Sequence, residues 1–167
     1  MGYRELFLAL LSVILLSTIT LRINANAVQA REVLQQIEMQ HVAATVAQQF
    51  LEEAKSKKFD TQIGFIPLVS MPALFTPAAN LGPEIGETYP AFDDVDDYEA
   101  YNDTLFVNGL DFIATIDVVY VTDLNPNLAV LLPTFFKRMT VTVSSRWLPA
   151  GSTPISRHIF TYFGANL

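Results

Sequence analysis

The order of apolar and polar positions divides this 167-residue chain into a helical front and a stranded back. From about Tyr3 to about Lys57 there is neither proline nor glycine, so nothing interrupts a helix. At a rise of about 1.5 Å per residue, such a helix would reach about 80 Å, longer than a domain of this size is wide. Its first half, Leu6 to Leu21 (LFLALLSVILLSTITL), carries no charge. From Arg22 onward the pattern is amphipathic. Ala30, Leu34, Ile37, Ala44 and Leu51 recur at helical spacings, and Val42, Val46 and Phe50 form a second row. Two rows predict a broad apolar face laid on a sheet. Lys55, Lys57 and Lys58 fall where the helix dipole is negative, and Phe59 is placed to fold back onto the core.

Between Thr61 and Pro90 five prolines and three glycines interrupt the chain, which excludes long regular elements. Ile63, Phe65, Ile66, Leu68, Met71, Leu74 and Phe75 make this stretch too apolar for simple disorder, so an ordered connection is expected. Strand patterns follow. Leu110–Val121 alternates Phe112, Ala114, Ile116, Val118 and Tyr120 onto one face. Lys137–Trp147 alternates Met139, Val141 and Val143 against Thr140, Thr142 and Ser144. Arg157–Phe163 is the third, and a short strand near Thr104–Val107 makes a fourth. Turns at Asn125-Pro126 and Pro149–Gly151 fit an antiparallel meander, and Asn127–Phe136 (NLAVLLPTFF) is an apolar connection for a sheet edge or a neighbour. One sheet face needs cover, and the N-terminal helix is the only long amphipathic element. The expected fold is therefore α+β: a long helix, apolar in its first half, against a three- or four-stranded antiparallel meander. The expected segments are 1–27 (apolar half), 28–60 (amphipathic half), 61–104 (connecting and Asp-rich loop) and 105–167 (sheet).

Composition narrows the function. A net charge of −7 disfavours a nucleic-acid surface. With no cysteine there is no disulfide framework, thiol nucleophile or cysteine metal site. The two histidines, His41 and His158, lack partners at ligand spacing, and no phosphate loop, dinucleotide fingerprint, G-x-S-x-G elbow or H-E-x-x-H is present, so no enzyme and no cofactor are expected. The one acidic concentration is FDDVDDYEAYND, Phe92 to Asp103. Asp93, Asp94, Asp96 and Asp97 suggest calcium through hard oxygen ligands, but the spacing is not that of an EF-hand. Asx-turns and a helix cap with an acidic first turn account for the same residues. Tyr89, Tyr98 and Tyr101 are expected to anchor this loop through their rings.

The apolar front allows three readings. As a Sec signal, Arg4 opens it and Ala25-Asn26-Ala27 offers a cleavage site, giving a soluble exported module, although Glu5 spoils the charge pattern. As a plain anchor, about 16 uncharged residues fall slightly short of the roughly 20 needed to span comfortably. The third reading uses Glu5. A carboxylate costs roughly 2.5–3.5 kcal/mol at a membrane centre, less near an interface, and is best tolerated beside a partner such as a neighbour's terminal amine.

Met1, Glu5 and the uncharged helix after them resemble the mature N-terminus of type IV pilins and type II secretion pseudopilins. Lys58-Phe59-Asp60, Phe92-Asp-Asp-Val-Asp-Asp-Tyr98 and Thr140-Val-Thr-Val143 resemble the prepilin-like minor pilins of the mannose-sensitive-haemagglutinin type. Gly2, Tyr3 and Arg4 depart from the usual small and apolar residues, and many pilins close their C-terminal region with a disulfide that this chain cannot form. The resemblance implies a bacterial cell-envelope protein held in the inner membrane as a subunit and extracellular as a homo-oligomeric helical filament. Met1 and Glu5 would be the assembly residues. The competing expectation is a single-pass envelope accessory that does not polymerise.

Overall fold

The computed structural model describes residues 2–61, 72–149 and 151–162. The expectations for Met1, and for Ile63, Phe65, Ile66, Leu68 and Met71, lie outside the described residues. The fold is α+β, one long N-terminal helix packed on a four-stranded antiparallel sheet. Helix α1 runs unbroken from Tyr3 to Ala54. The chain divides into two compact units, Met1–Met39 and Gln40–Leu167.

In the first unit every described residue up to Glu38 is exposed, including Leu6, Phe7, Leu10, Val13, Ile14 and Leu16. The hydroxyls in this apolar stretch are satisfied within the helix itself. Ser12, Thr18 and Thr20 donate to the carbonyls of Ala9, Leu15 and Leu16, each at 2.8 Å. A hydroxyl bonded to its own helix demands nothing from the medium, which suits an apolar surrounding.

In the second unit the last turns of α1 bury Ala43, Val46, Ala47, Phe50, Leu51 and Ala54. The spacings of three and one make a narrow seam, and its three alanines permit close approach. This corrects one expected row. Ala30, Leu34, Ile37 and Ala44 are exposed, whereas Val46, Phe50 and Leu51 are buried as expected. Helix α1 also ends three residues earlier than the pattern implied, with no basic residue in its last turn. Lys57 Nζ donates to the Phe92 carbonyl at 2.7 Å and Lys58 Nζ to Asp93 at 2.6 Å. A full carboxylate and a fixed carbonyl outbid the partial charge of a helix end.

The strands are β1 (Asn102–Val107), β2 (Leu110–Tyr120), β3 (Phe136–Ser144) and β4 (Ile155–Thr161), in the order β1-β2-β3-β4. Asn108 and Gly109, with φ of 52° and 79°, form the two-residue turn between β1 and β2. Both positions require positive φ, which Asn-Gly supplies at least cost. The register places Ala114 opposite Val143, Ile116 opposite Val141, Val118 opposite Met139 and Tyr120 opposite Lys137. All eight are buried, so one face of the sheet is core. The third strand pattern begins two residues earlier than read, at Ile155, and its buried member is Phe160. In the Asn127–Phe136 connection Val130 bonds the edge of β2 at Tyr120, while Leu128, Leu131 and Leu132 are exposed.

The chain after α1 is stitched to the Asp-rich loop by backbone. The Lys58 N–H donates to Asp93 at 3.2 Å and the Val95 N–H to Lys58 at 3.0 Å. Two aromatic groups fill the space beneath. Phe50, Tyr89, Phe92, Tyr98 and Tyr101 make one, with centroid distances from 5.1 to 5.9 Å. Phe59, Phe75, Phe135 and Tyr162 make the other. Phe59 thus folds onto the core, at 1% exposure.

Candidate functional site

The acidic loop is the chemical centre of the second unit, and its aspartates go to two different places. Asp94, Asp96 and Asp97 are buried, and Asp93 is exposed. A single 3-10 turn, Asp96–Tyr98, sends Asp96 inward toward β3 and leaves Asp94 and Asp97 on the loop.

Asp96 belongs to a buried ion network. Lys137, in phase with Met139 on the core face of β3, is fully buried. Its Nζ donates to Asp96 Oδ1 at 2.6 Å, to Asp60 Oδ2 at 2.9 Å and to the Phe59 carbonyl at 2.7 Å. The Phe59 and Tyr120 rings face the ammonium at 4.7 and 5.3 Å. Asp60 also accepts from the Thr76 N–H at 3.1 Å, and the Tyr120 hydroxyl lies 3.2 Å from Asp60 and 2.8 Å from the Thr76 carbonyl. Burial raises the Asp96 carboxyl to about 8, against the pull of Lys137. Burial likewise lifts the Tyr120 phenol well above its ordinary value, with Asp60 beside it.

Asp94 and Asp97 build the loop. Asp94 Oδ1 accepts from the N–H groups of Asp96 and Asp97, at 2.9 and 3.3 Å. Asp97 Oδ2 accepts from those of Asp93 and Asp94, at 2.9 and 3.1 Å. These are Asx-type turns, in which a short carboxylate replaces the ladder that a proline-rich loop lacks. Asp93 pairs with Lys58 at the surface. The four aspartates named from the sequence therefore do not form one ligand set, because Asp96 is taken by Lys137. Two groups of carboxylates bring oxygens within 4.8 Å of one another: Asp93, Asp94 and Asp97, and Glu84, Glu87 and Asp97. Glu84 and Glu87 were not singled out in the sequence, because a proline-rich loop hides which of its acids return to the aspartates.

The tyrosines hold the loop as expected and add a polar function. The Tyr98 and Tyr89 hydroxyls donate to Glu53 of α1 at 2.8 and 3.1 Å. Burial pushes both phenols up, and the Glu53 charge reinforces it. The histidines stand apart. His41 is exposed on α1. His158 is half-buried on β4, edge-on to Phe160 at 4.8 Å, and burial holds its imidazole below the ordinary value. It lines a cleft with Lys55, Lys57 and Phe59.

Glu5 opens α1 at its positive end, and its Oε2 accepts from the Gly2 N–H at 3.2 Å. It is the acidic residue of the first turn, favoured by the helix dipole. Among the described residues α1 is the one helix long and apolar enough to cross a membrane.

An α+β unit, an antiparallel meander covered by the end of a helix with an exposed apolar front, is the class these features define. No protein-family model matches the chain, and no curated protein or solved structure matches it.

Proposed function

We propose that this chain is a structural subunit of a type IV pilus-like filament. It sits in the inner membrane before assembly, and its N-terminal helices pack together in the filament core. The observation that carries the reading is the exposed apolar front of α1, Leu6 to Leu21, on a helix continuous to Ala54. So much apolar side chain must leave water, at about 25 cal/mol per Å² of surface buried. Lipid satisfies that need first and sister helices satisfy it afterwards. The Lys58-Phe59-Asp60 and Asp-rich motifs, and their place between helix and sheet, support the same reading. A subunit of this kind does no chemistry, and an acidic outer domain keeps the fibre solvated.

The second reading is a single-pass envelope accessory that does not polymerise. It is favoured by the Glu5–Gly2 contact, since a carboxylate used to cap its own helix needs no neighbouring chain. Glu5→Gln separates the two. The amide keeps an acceptor for the cap and removes the charge that a neighbour's terminal amine would meet. Electron microscopy of native material is expected to show helical fibres that Glu5→Gln abolishes while the protein remains in the membrane. Monodisperse subunits without fibres, even on removing detergent, would reject the filament.

A further inference from the structure

Among the described residues, the loop carboxylates of the second unit crowd together with few hydrogen-bond donors between them. Asp97 is 1% exposed, and its Oδ2 is satisfied by two backbone N–H groups. Its Oδ1 is buried and has no hydrogen-bond donor. An orphaned buried carboxylate oxygen costs about 1–3 kcal/mol or more, so it calls for a partner. The Asp97 carboxylate lies with those of Glu84 and Glu87, their ligand oxygens within 4.8 Å of one another.

A second shortage adjoins the first. Thr61 Oγ1 lies 2.5 Å from Glu84 Oε1 and 2.6 Å from Asp94 Oδ2. A hydroxyl has one proton and can donate to only one of them. The Lys58 ammonium is engaged with Asp93 at 2.6 Å. Glu84 and Asp94 thus converge on Thr61, and the Asp97 carboxylate groups with Glu84 and Glu87 on one side and with Asp94 on the other.

We propose that Glu84, Glu87 and Asp97, with Asp94 at the edge, form a divalent-cation site that takes calcium. All-oxygen carboxylate donors select a hard cation, and a loop without rigid geometry suits calcium better than the strict octahedron of magnesium. The ion would tie the proline-rich loop at Glu84–Glu87 to the aspartate turn and, through Thr61, to the chain leaving α1. The site is distinct from the Lys137 network, which supplies its own counter-charge, and it stands whether or not the chain polymerises.

The test uses the full chain in detergent, stripped with EDTA near neutral pH, then titrated with calcium chloride or terbium chloride. Calcium at about a hundredfold over its Kd is expected to raise the melting temperature by roughly 5–10 °C. Terbium should show tyrosine-sensitised emission, from Tyr89 and Tyr98 on the same loop, that calcium reverses. Glu87→Gln should weaken calcium by about tenfold or more, yet melt in EDTA at or above the wild-type temperature, because one repelling carboxylate is gone. Glu84→Gln, at an exposed position, serves the same purpose if the first variant folds poorly. No shift with calcium up to about 10 mM, beyond the range of weak extracellular sites, overturns the proposal. So does an equal shift with sodium chloride at matched ionic strength, or unchanged calcium affinity in both variants.

Discussion

Replacing Lys137 with methionine tests the ion network at the centre of the second unit. Methionine matches the length of the lysine stem and removes the ammonium together with its contacts over the Phe59 and Tyr120 rings. Three hydrogen bonds are lost, at 2.6, 2.7 and 2.9 Å, and Asp60 and Asp96 are left buried together. Removing one member of a buried ion group typically costs about 3–5 kcal/mol, much of it the stranded opposite charge. Asp96 has a partial escape. Its carboxyl already sits near 8, so it can take a proton and cease to repel Asp60. Asp60 keeps the Thr76 N–H as a donor but loses the ammonium. The cost should therefore fall near the lower end, about 3 kcal/mol, and adding Asp96→Asn to Lys137→Met should cost far less than the sum of the singles. Urea unfolding of the full chain in detergent, followed by near-ultraviolet circular dichroism, measures both. A loss below about 1 kcal/mol for Lys137→Met, or strict additivity in the double variant, would refute the reasoning.

Acid dependence should run opposite to the usual carboxylate trend. Asp96 and Asp97 hold protons in the folded chain up to about 8 and about 7, against an ordinary 3.8, so the folded state binds more protons than the unfolded state above about pH 4. Stability then falls as pH rises toward 8, by up to about 1.4 kcal/mol per pH unit for each full proton. His158, held below its ordinary 6.5, works the other way only in more acid solution, so urea midpoints in EDTA should drop between about pH 6.5 and 8. A flat or rising profile there contradicts the raised carboxyls. Along α1, Phe50→Ala should cost about 3–5 kcal/mol of second-unit stability, as a buried aromatic touching Tyr89 and Tyr101. Leu34→Ala, at an exposed position, should change the same urea midpoint by less than about 0.5 kcal/mol.

What was legible in the sequence was whatever repeats. Alternation placed β2 and β3 with their faces correct, because a strand with one buried side writes that side into every second residue. The continuous helix was legible because nothing in it could stop it. Its buried face was less so. An apolar row on a helix records only that some surface covers it, and Leu34 and Ile37 look the same in sequence whether a sheet, a lipid or a second chain does the covering. Asn108-Gly109 was readable turn chemistry that sharpens β1 into a true hairpin. Lys137 was readable too, in phase with Met139, but a lysine ending a strand pattern looks like a solvated end until its carboxylates are seen. The partners Asp60 and Asp96 come from segments 77 and 41 residues away, and no periodicity links them. Glu84 and Glu87 reach Asp97 through an irregular loop, where side-chain placement depends on individual dihedral angles rather than on a repeat.

The aspartate loop carries two electrostatic tasks because of one turn. Within five residues, Asp94 and Asp97 face one cluster and Asp96 the other, and the 3-10 turn at Asp96–Tyr98 makes the separation. The inner cluster has its cation built in, so it is complete as soon as the strands and the end of α1 assemble. It fixes residues 59–60 onto β3 without a disulfide. Among the described residues the outer cluster has one paired ammonium, Lys58 on Asp93, and no donor reaches Asp97 Oδ1. Damage to the inner cluster should thus lower the stability of the second unit at any calcium concentration. Damage to the outer one should leave the fold intact and remove only its response to calcium. Because the two clusters meet at Asp60 and Thr61, adjacent in the chain, a variant that confuses these outcomes would mean that they are a single network, and the assignment of a separate cation site would fail with it.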